Sequence, residues 1–183
     1  MRLLMVPGIG GSGRRRWQTL WQQEFTGQAD RIQPVSWEAP DQSDWLEAIS
    51  RAAGSDTVIV AHSLGCLAAA TWLTQREPII LGAFLVAPPD PKAPSFPPAA
   101  TSFTAPSTAL PVPSVVLASS DDPFSSFPVV AAMARNWDAA LLDIGPLGHV
   151  NSASDLGQWN DGRERLQTFI DHLGSHQGED TRR

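Results

Sequence analysis

The sequence predicts an α/β domain in which a mostly parallel sheet of about six strands carries helices on both faces. Short apolar runs rich in β-branched residues alternate with longer stretches of helical spacing along nearly the whole chain. The chain has 183 residues, which fits one domain with one sizeable core. Glycines and polar residues also follow four of the predicted strands, where open parallel sheets bind their ligands.

Each element follows from its own pattern. The predicted strands are the apolar runs Leu3 to Val6, Arg31 to Ser36, Thr57 to Ala61, Ile79 to Val86, Ser114 to Ala118 and Ala140 to Ile144. The predicted helices are Arg14 to Phe25, Ser43 to Ala53, Leu64 to Gln75, Ser126 to Asn136 and Gly157 to Leu173. In the second helix, Trp45, Ile49 and Ala52 recur at helical spacing and form the face expected to cover the sheet.

One segment interrupts the alternation. From Pro88 to Pro113, nine of 26 residues are proline, which lacks an N–H and excludes a regular helix or central strand. This segment is either a surface crossover in partly polyproline conformation or a lid over a pocket. We assign residues 1–173 to a single domain that includes this loop or lid, and we expect residues 174–183 to form a flexible tail.

Composition excludes several classes of partner. The formal net charge is −6 and no stripe of Lys or Arg runs along the chain, so nucleic acid is not expected as a partner. A single cysteine, Cys66, excludes a disulfide framework and a thiolate zinc site and fits a reducing compartment. No apolar run is long enough for a signal-peptide core or a membrane span. We therefore expect a cytoplasmic protein, whose oligomeric state the sequence leaves open.

Residues 57–66, TVIVAHSLGC, carry the strongest chemical signal. AHSLG is a variant of the G-x-S-x-G nucleophile elbow, with Ala61 in place of the first glycine. An apolar run precedes it and a strong helix former, Leu67 with three alanines, follows it. In a sharp strand-to-helix turn the central residue is exposed while its neighbours approach other backbone closely, so small flanking residues are needed. Ser63 is the candidate nucleophile.

A serine hydroxyl needs a base to accept its proton, and the elbow arrangement places an acid and then a histidine later in the chain. His149, in the turn GPLGH after the last predicted strand, is the candidate base. His62 is the sequence neighbour of the serine and cannot easily curl back onto it, while His172 and His176 are expected to be solvated. Asp121 and Asp122 compete as the acid that orients the imidazole, and we choose Asp122.

An oxyanion hole requires two backbone N–H groups aimed at the developing negative oxygen. One is expected from Leu64, the residue after the nucleophile. The other is expected from the loop PGIGG after the first strand, with Ile9 as the candidate and Gly10 as the fallback. The same loop can be aligned with a dinucleotide-binding fingerprint, with Glu38 as the ribose acid. That alternative gives Ser63, Asp122 and His149 no role.

Together the motifs VPGIGGSG, SWEAPDQSDW, AHSLGC, SSDDPFSS and GHVNSASDLGQW resemble the small serine hydrolases of the retinoblastoma-binding-protein-nine-like group, and in particular its YdeN-like members. The resemblance runs from the N-terminus to about Phe169. It implies a compact α/β-hydrolase fold in which Ser63, Asp122 and His149 match the family's triad. The chain departs from the family in RRRW at residues 14–17, where relatives often carry an acidic residue and a histidine, which bears on substrate preference.

The expected activity is hydrolysis of a small carboxylic ester, thioester or amide through an acyl-enzyme on Ser63, without a metal or organic cofactor. Several aromatic side chains are candidates for the wall of an acyl pocket, although each could equally belong to the core: Trp37, Phe96, Phe103, Phe124 and Phe127. The alternative function is a binding or scaffold protein that keeps the fold without catalysis.

Overall fold

A computed structural model describes residues 1–76 and 78–180, and within them the chain forms six strands and five α-helices. The strands are β1 (Arg2–Val6), β2 (Ala29–Arg31), β3 (Thr57–His62), β4 (Gly82–Val86), β5 (Ser114–Ala118) and β6 (Ala140–Asp143). The helices are α1 (Trp17–Glu24), α2 (Gln42–Ala52), α3 (Leu64–Arg76), α4 (Phe127–Asn136) and α5 (Asn160–Asp180). Two short 3₁₀ helices span Pro98–Ala100 and Ser152–Ser154.

The six strands form one sheet in the order β2-β1-β3-β4-β5-β6, and every neighbouring pair is parallel. The chain therefore starts near the middle of the sheet, builds one edge, and returns through β3 to build the other. This arrangement confirms the predicted fold class. It also brings the carboxyl ends of β1, β3, β5 and β6 to the same edge of the sheet. The loops that carry the candidate site residues lie at this edge.

Alternation along the strands divides the core into two layers. Leu4 and Val6 of β1 pack with α2, α3 and α4 on one face of the sheet, whereas Leu3 and Met5 pack with α1 and α5 on the other. The central strand β3 is buried along its whole length. Helices on both faces leave only the strand ends and the two sheet edges open to ligands.

The largest differences between predicted and observed boundaries are in the second strand, the fourth strand, the first helix and the last helix. The second strand was placed at residues 31–36 but occupies Ala29–Arg31, because Pro34 follows and Val35 is 89% exposed. The fourth strand begins at Gly82 rather than at Ile79, which is 82% exposed. The first helix begins at Trp17 instead of Arg14. Arg14 and Arg15 therefore lie in the loop before α1, and Arg16 is the N-cap of that helix.

The last helix runs to Asp180, beyond the predicted end at Leu173. The expected flexible tail at 174–183 is therefore helical as far as 180, and its last three residues lie outside the described part of the chain, as does the side chain of His176. His172 is exposed, and its Nδ1 lies 2.7 Å from the carbonyl oxygen of Thr168. None of the described helices is long and apolar enough to cross a bilayer.

The proline-rich segment at 88–113 is packed onto the domain. Phe103 is 2% exposed and meets Trp45 edge to face, with 5.2 Å between ring centroids. Hydrogen bonds join the segment to the helices beneath it: the Leu110 N–H donates to the Trp137 carbonyl at 2.9 Å, and the indole of Trp137 donates to the Pro106 carbonyl at 2.9 Å. Both aromatic anchors and backbone bonds hold this segment over the sheet edge that carries Ser63.

Candidate active site

Ser63 stands in the turn between β3 and α3. Its φ is +54°, in the left-handed region that L-residues other than Asn and Asp seldom adopt. Its backbone N–H donates to the Val86 carbonyl at 3.0 Å, and its own carbonyl accepts from the Cys66 N–H at 2.8 Å. Hydrogen bonds to β4 and to the first turn of α3 thus hold the serine in its strained conformation at the edge of the sheet.

Two glycines make room for this turn. A Cβ at position 65 would lie 2.6 Å from the Pro7 carbonyl oxygen and closer still to that of Val6, so α3 can approach β1 only with glycine there. A Cβ at position 8 would lie 2.8 Å from the Cβ of Ser63. These contacts explain why the elbow needs glycine at position 65 and why the loop after β1 needs glycine at position 8.

His149 connects the serine to an acid. Its Nε2 lies 2.7 Å from the Ser63 Oγ, and its Nδ1 lies 2.8 Å and 3.0 Å from the two carboxylate oxygens of Asp122. The imidazole is 7% exposed and the Asp122 side chain 1% exposed, so the three groups are shielded from water. With the ring proton on Nδ1 donated to the carboxylate, Nε2 is free to accept the serine proton.

Asp121, the competing acid, does not reach the imidazole. Its Oδ1 accepts from the Gly148 N–H at 2.7 Å and from the Ser119 hydroxyl at 2.9 Å. The Ser119 hydroxyl oxygen in turn accepts from the Leu147 N–H at 3.0 Å. Asp121 therefore ties the end of β5 to the residue before His149, and the two adjacent aspartates have different tasks: one orients the ring and the other fixes the loop.

The His149 loop is also held from beneath. His62 Nε2 donates to the His149 carbonyl at 2.8 Å, and the Trp17 indole donates to the Val150 carbonyl at 3.0 Å. Because a carbonyl only accepts, His62 carries its proton on Nε2. Complete burial and then the neighbouring His149 lower the pKa of His62 to about 3, with a smaller contribution from Arg16. His62 is thus a neutral donor that positions the loop.

Leu64 and Ile9 line the same cavity as Ser63, and their backbone N–H groups are the candidates for an oxyanion hole. That of Leu64 is the first in α3 and has no carbonyl one turn earlier within the helix. That of Ile9 donates to no backbone carbonyl among the described residues, whereas the Gly10 N–H donates to the Trp37 carbonyl at 2.8 Å. The Gly10 N–H is therefore already paired, whereas Ile9 and Leu64 stay the candidate pair.

A cavity of about 190 Å³ opens onto these groups, and we call it the Ser63 cavity. Ser63 and His149 line it, together with Ile9 and Leu64. Its apolar wall comes from Pro89, Phe96, Pro97 and Phe124. Of the five aromatic candidates, Phe96 and Phe124 therefore line the cavity, while Phe103 is a core residue and Trp37 and Phe127 pack against the core.

The dinucleotide alternative does not fit the loop after β1. That fingerprint needs its glycines to open a helix, yet α1 begins only at Trp17, beyond Gly13. In addition, the Trp37 ring packs against Gly11: a Cβ added at position 11 would lie 3.3 Å from the nearest ring atom. Among the described residues, no group of three or more His, Cys, Asp or Glu side chains is arranged to hold a metal ion.

Sequence reasoning missed two residues of the site. Arg16 and Asn151 both line the Ser63 cavity, although they come from opposite ends of the chain. The signal for Arg16 was the unusual RRRW stretch directly after the glycine-rich loop. Asn151 follows His149 by two residues, but nothing in its local pattern indicates that its side chain shares a cavity with Ser63.

Comparisons with known proteins agree with this fold. A protein from Pectobacterium atrosepticum named as a YdeN-like hydrolase is 32% identical, with 94% of this chain and 91% of that chain covered and a TM-score of 0.82. The ydeN gene product of Bacillus subtilis is 21% identical, with 93% and 98% covered and a TM-score of 0.78. The type II thioesterase BorB from the borrelidin biosynthetic cluster is 14% identical, with 94% and 91% covered and a TM-score of 0.63.

The model of a protein family described as serine hydrolase matches residues 3–168. The comparison with curated protein sequences gave no significant match. The family match spans the elbow, both aspartates and the His149 loop, and it confirms the resemblance deduced from the motifs. The chain belongs to the serine hydrolase family and has the α/β-hydrolase fold.

Proposed function

We propose that this protein hydrolyses a small carboxylic ester, thioester or amide through a covalent acyl-enzyme on Ser63. One observation carries the proposal: a single buried imidazole, His149, bridges the Ser63 hydroxyl at 2.7 Å and the Asp122 carboxylate at 2.8 Å. A nucleophile, a base in contact with it and an acid that orients the base are the requirements for activating a serine.

In the acylation step, the Ser63 oxygen attacks the substrate carbonyl carbon while its proton moves to His149 Nε2. The electron pair of the carbonyl bond moves onto oxygen, where the N–H groups of Ile9 and Leu64 donate to it. Asp122 stabilises the imidazolium that forms. Collapse of the intermediate then breaks the bond to the leaving group, which takes the proton from Nε2.

Deacylation repeats these roles with water. A water molecule in the Ser63 cavity gives a proton to His149 Nε2 and attacks the acyl carbon, and the second intermediate expels the serine oxygen, which regains the proton. The products are a carboxylic acid and an alcohol, thiol or amine. Neither half-reaction needs an electron donor, a metal or an organic cofactor.

The cavity supports a small acyl group. A volume of about 190 Å³ with a wall of Phe96, Pro97 and Phe124 suits a short apolar chain or ring. We keep thioesters in the proposed range because one structural neighbour is named as a thioesterase and because the same intermediate forms from either substrate.

Fluorophosphonate labelling tests the proposal without knowledge of the substrate. We expect one phosphonyl group per chain, on the peptide that contains Ser63, and loss of labelling in Ser63→Ala. Ser120→Ala is the matched control, since Ser120 is an exposed serine after β5, at the same end of the sheet, and should label like the wild type. A folded wild-type protein that takes up no label would refute the proposal and favour a scaffold protein without catalysis.

A further inference from the structure

Arg16 is the only formally charged side chain among the described residues that line the Ser63 cavity. Its guanidinium is half-buried and makes two long contacts, one of 3.3 Å to the Ser152 hydroxyl and one of 3.5 Å to the Gly11 carbonyl. A guanidinium has five N–H donors, so most of its donor capacity is unused.

Arg16 also has no carboxylate partner in the described part of the chain. Four other arginines, Arg2, Arg76, Arg163 and Arg165, each pair with a carboxylate. The protein as a whole carries a net charge of −6, so acidic groups are abundant. A half-buried cation that none of the described acids neutralises, beside a nucleophile, is therefore available to a ligand.

A second cavity meets the first at this residue. It has a volume of about 400 Å³, and we call it the arginine cavity because Arg15 and Arg16 both line it. Arg16 and Asn151 line both cavities and so stand at their junction. Asp155 also lines the arginine cavity, but it forms no ion pair within 4.0 Å with either arginine.

Asn151 supplies a further donor at the junction. Its Oδ1 accepts from the Ala153 N–H at 2.9 Å, which directs the oxygen toward its own loop. The NH₂ group of the same amide donates to no partner among the described residues, so it remains free for a ligand. A planar guanidinium and an amide NH₂ on one junction match the oxygens of a carboxylate or a phosphate.

We propose that Arg16 and Asn151 form an anion subsite, so that the preferred substrate carries a carboxylate or phosphate group a short distance from its scissile bond, held at the junction of the two cavities. This inference rests on the proposed hydrolysis at Ser63. The neutral end of the substrate lies against Phe96 and Phe124, and the anionic end lies between the cavities. Arg16 determines substrate specificity, whereas Ser63 and His149 carry out the reaction.

The kinetic test uses two pairs of substrates, and within each pair a carboxylate is compared with its neutral methyl ester. The acyl-side pair is p-nitrophenyl hydrogen adipate and its methyl ester, and the leaving-group pair is 4-acetoxybenzoate and its methyl ester. In at least one pair we expect the anionic member to have a kcat/KM about tenfold higher, the usual size of a partly exposed charge-assisted contact. The pair that shows the preference identifies the side of the scissile bond on which the anion lies.

Substitutions assign the preference to Arg16. Arg16→Gln should reduce the ratio of kcat/KM values between the anionic and neutral members to within about twofold, and Arg16→Lys should retain part of it because a point charge remains. Arg14→Gln is the matched control, since Arg14 is exposed, lies two residues away and lines neither cavity. A ratio that survives Arg16→Gln, or falls equally in Arg14→Gln, would overturn the proposal.

A binding measurement separates this inference from the proposed function. Calorimetry with Ser63→Ala and the same ester pairs measures affinity without turnover. We expect tighter binding of the anionic member and loss of that difference when Arg16→Gln is added. If the wild type takes up no fluorophosphonate, the hydrolase proposal fails, and the calorimetric result still decides the anion subsite. Equal affinity for both members of both pairs would overturn the subsite.

Discussion

Gly65 offers a direct test of how the elbow is built. Replacing it with alanine adds a Cβ that would lie 2.6 Å from the Pro7 carbonyl oxygen and closer still to the Val6 carbonyl. Both obstacles are backbone of a central strand and its loop, so neither can swing aside as a flexible side chain would. The added methyl group must therefore push α3 away from β1, and Ser63 at the start of that helix moves with it.

The expected cost can be worked from two opposing terms. Overpacking costs about 1–3 kcal/mol, and contact with fixed backbone places this site at about 3 kcal/mol. Alanine is the better helix former by about 1 kcal/mol, which offsets part of the strain because position 65 is helical. The net loss in the free energy of unfolding is about 2 kcal/mol, which corresponds to a fall in Tm of about 4–8 °C for a chain of this size.

Gly174→Ala is the matched control. Position 174 is also in a helix, α5, but a Cβ there meets nothing within 4 Å. The same substitution should therefore raise stability by about 0.5–1 kcal/mol through helix propensity alone. Urea unfolding measures both changes, and the rate of fluorophosphonate capture at Ser63 should fall only in Gly65→Ala. Equal or increased stability of Gly65→Ala would refute the close approach of α3 to β1.

Three further substitutions test the groups around His149. Asp122→Asn should lower kcat by about 10⁴-fold, because the amide NH₂ can donate to Nδ1, which puts the ring proton on Nε2, and because the charge that stabilises the imidazolium is lost. Asp121→Asn, which loosens only the loop, should lower kcat far less, and similar losses in both variants would contradict the separate tasks of the two aspartates. His62 is neutral when folded, with a pKa of about 3, and takes a proton below its ordinary value of 6.5 when unfolded. Its contribution to the free energy of unfolding is therefore fully present above about pH 6.5 and is lost as the pH falls toward 3. About 2 kcal/mol of this contribution is lost by pH 5. Urea midpoints should fall less over that range in His62→Gln than in the wild type, and identical slopes would show that His62 does not titrate in this way.

The sequence predicts the elements whose boundaries depend on the local hydrophobic pattern or on a local motif. The run at Ser114–Ala118 matches β5 residue for residue, because a fully buried strand between polar loops has clear limits. The helix after Ser63 begins at Leu64, as predicted, because the elbow motif fixes its first residue. The second strand was misplaced because Ile32 is buried yet lies outside the sheet ladder, so its apolar character alone suggested a strand.

The sequence predicts only those site residues that the order of the strands brings to one end of the sheet. Three strand ends at one edge of the sheet, those of β3, β5 and β6, bring Ser63, Asp122 and His149 together, and the choice between the adjacent aspartates depends on an expected turn. The placement of Arg16 and Asn151 in one cavity could not be derived, because the loop before α1 and the loop after His149 are distant in sequence. Their side chains meet only once α1 and α5 pack on the same face of the sheet.

A crystal structure of the fluorophosphonate adduct would test the central arrangement most directly. The phosphonyl oxygen should lie about 2.7–3.1 Å from the N–H groups of Ile9 and Leu64. The His149 ring should stay hydrogen-bonded to Asp122 with its Nε2 directed at the modified Ser63 oxygen. A phosphonyl oxygen that points to solvent, or an imidazole turned away from Asp122, would contradict the activation of Ser63 described above.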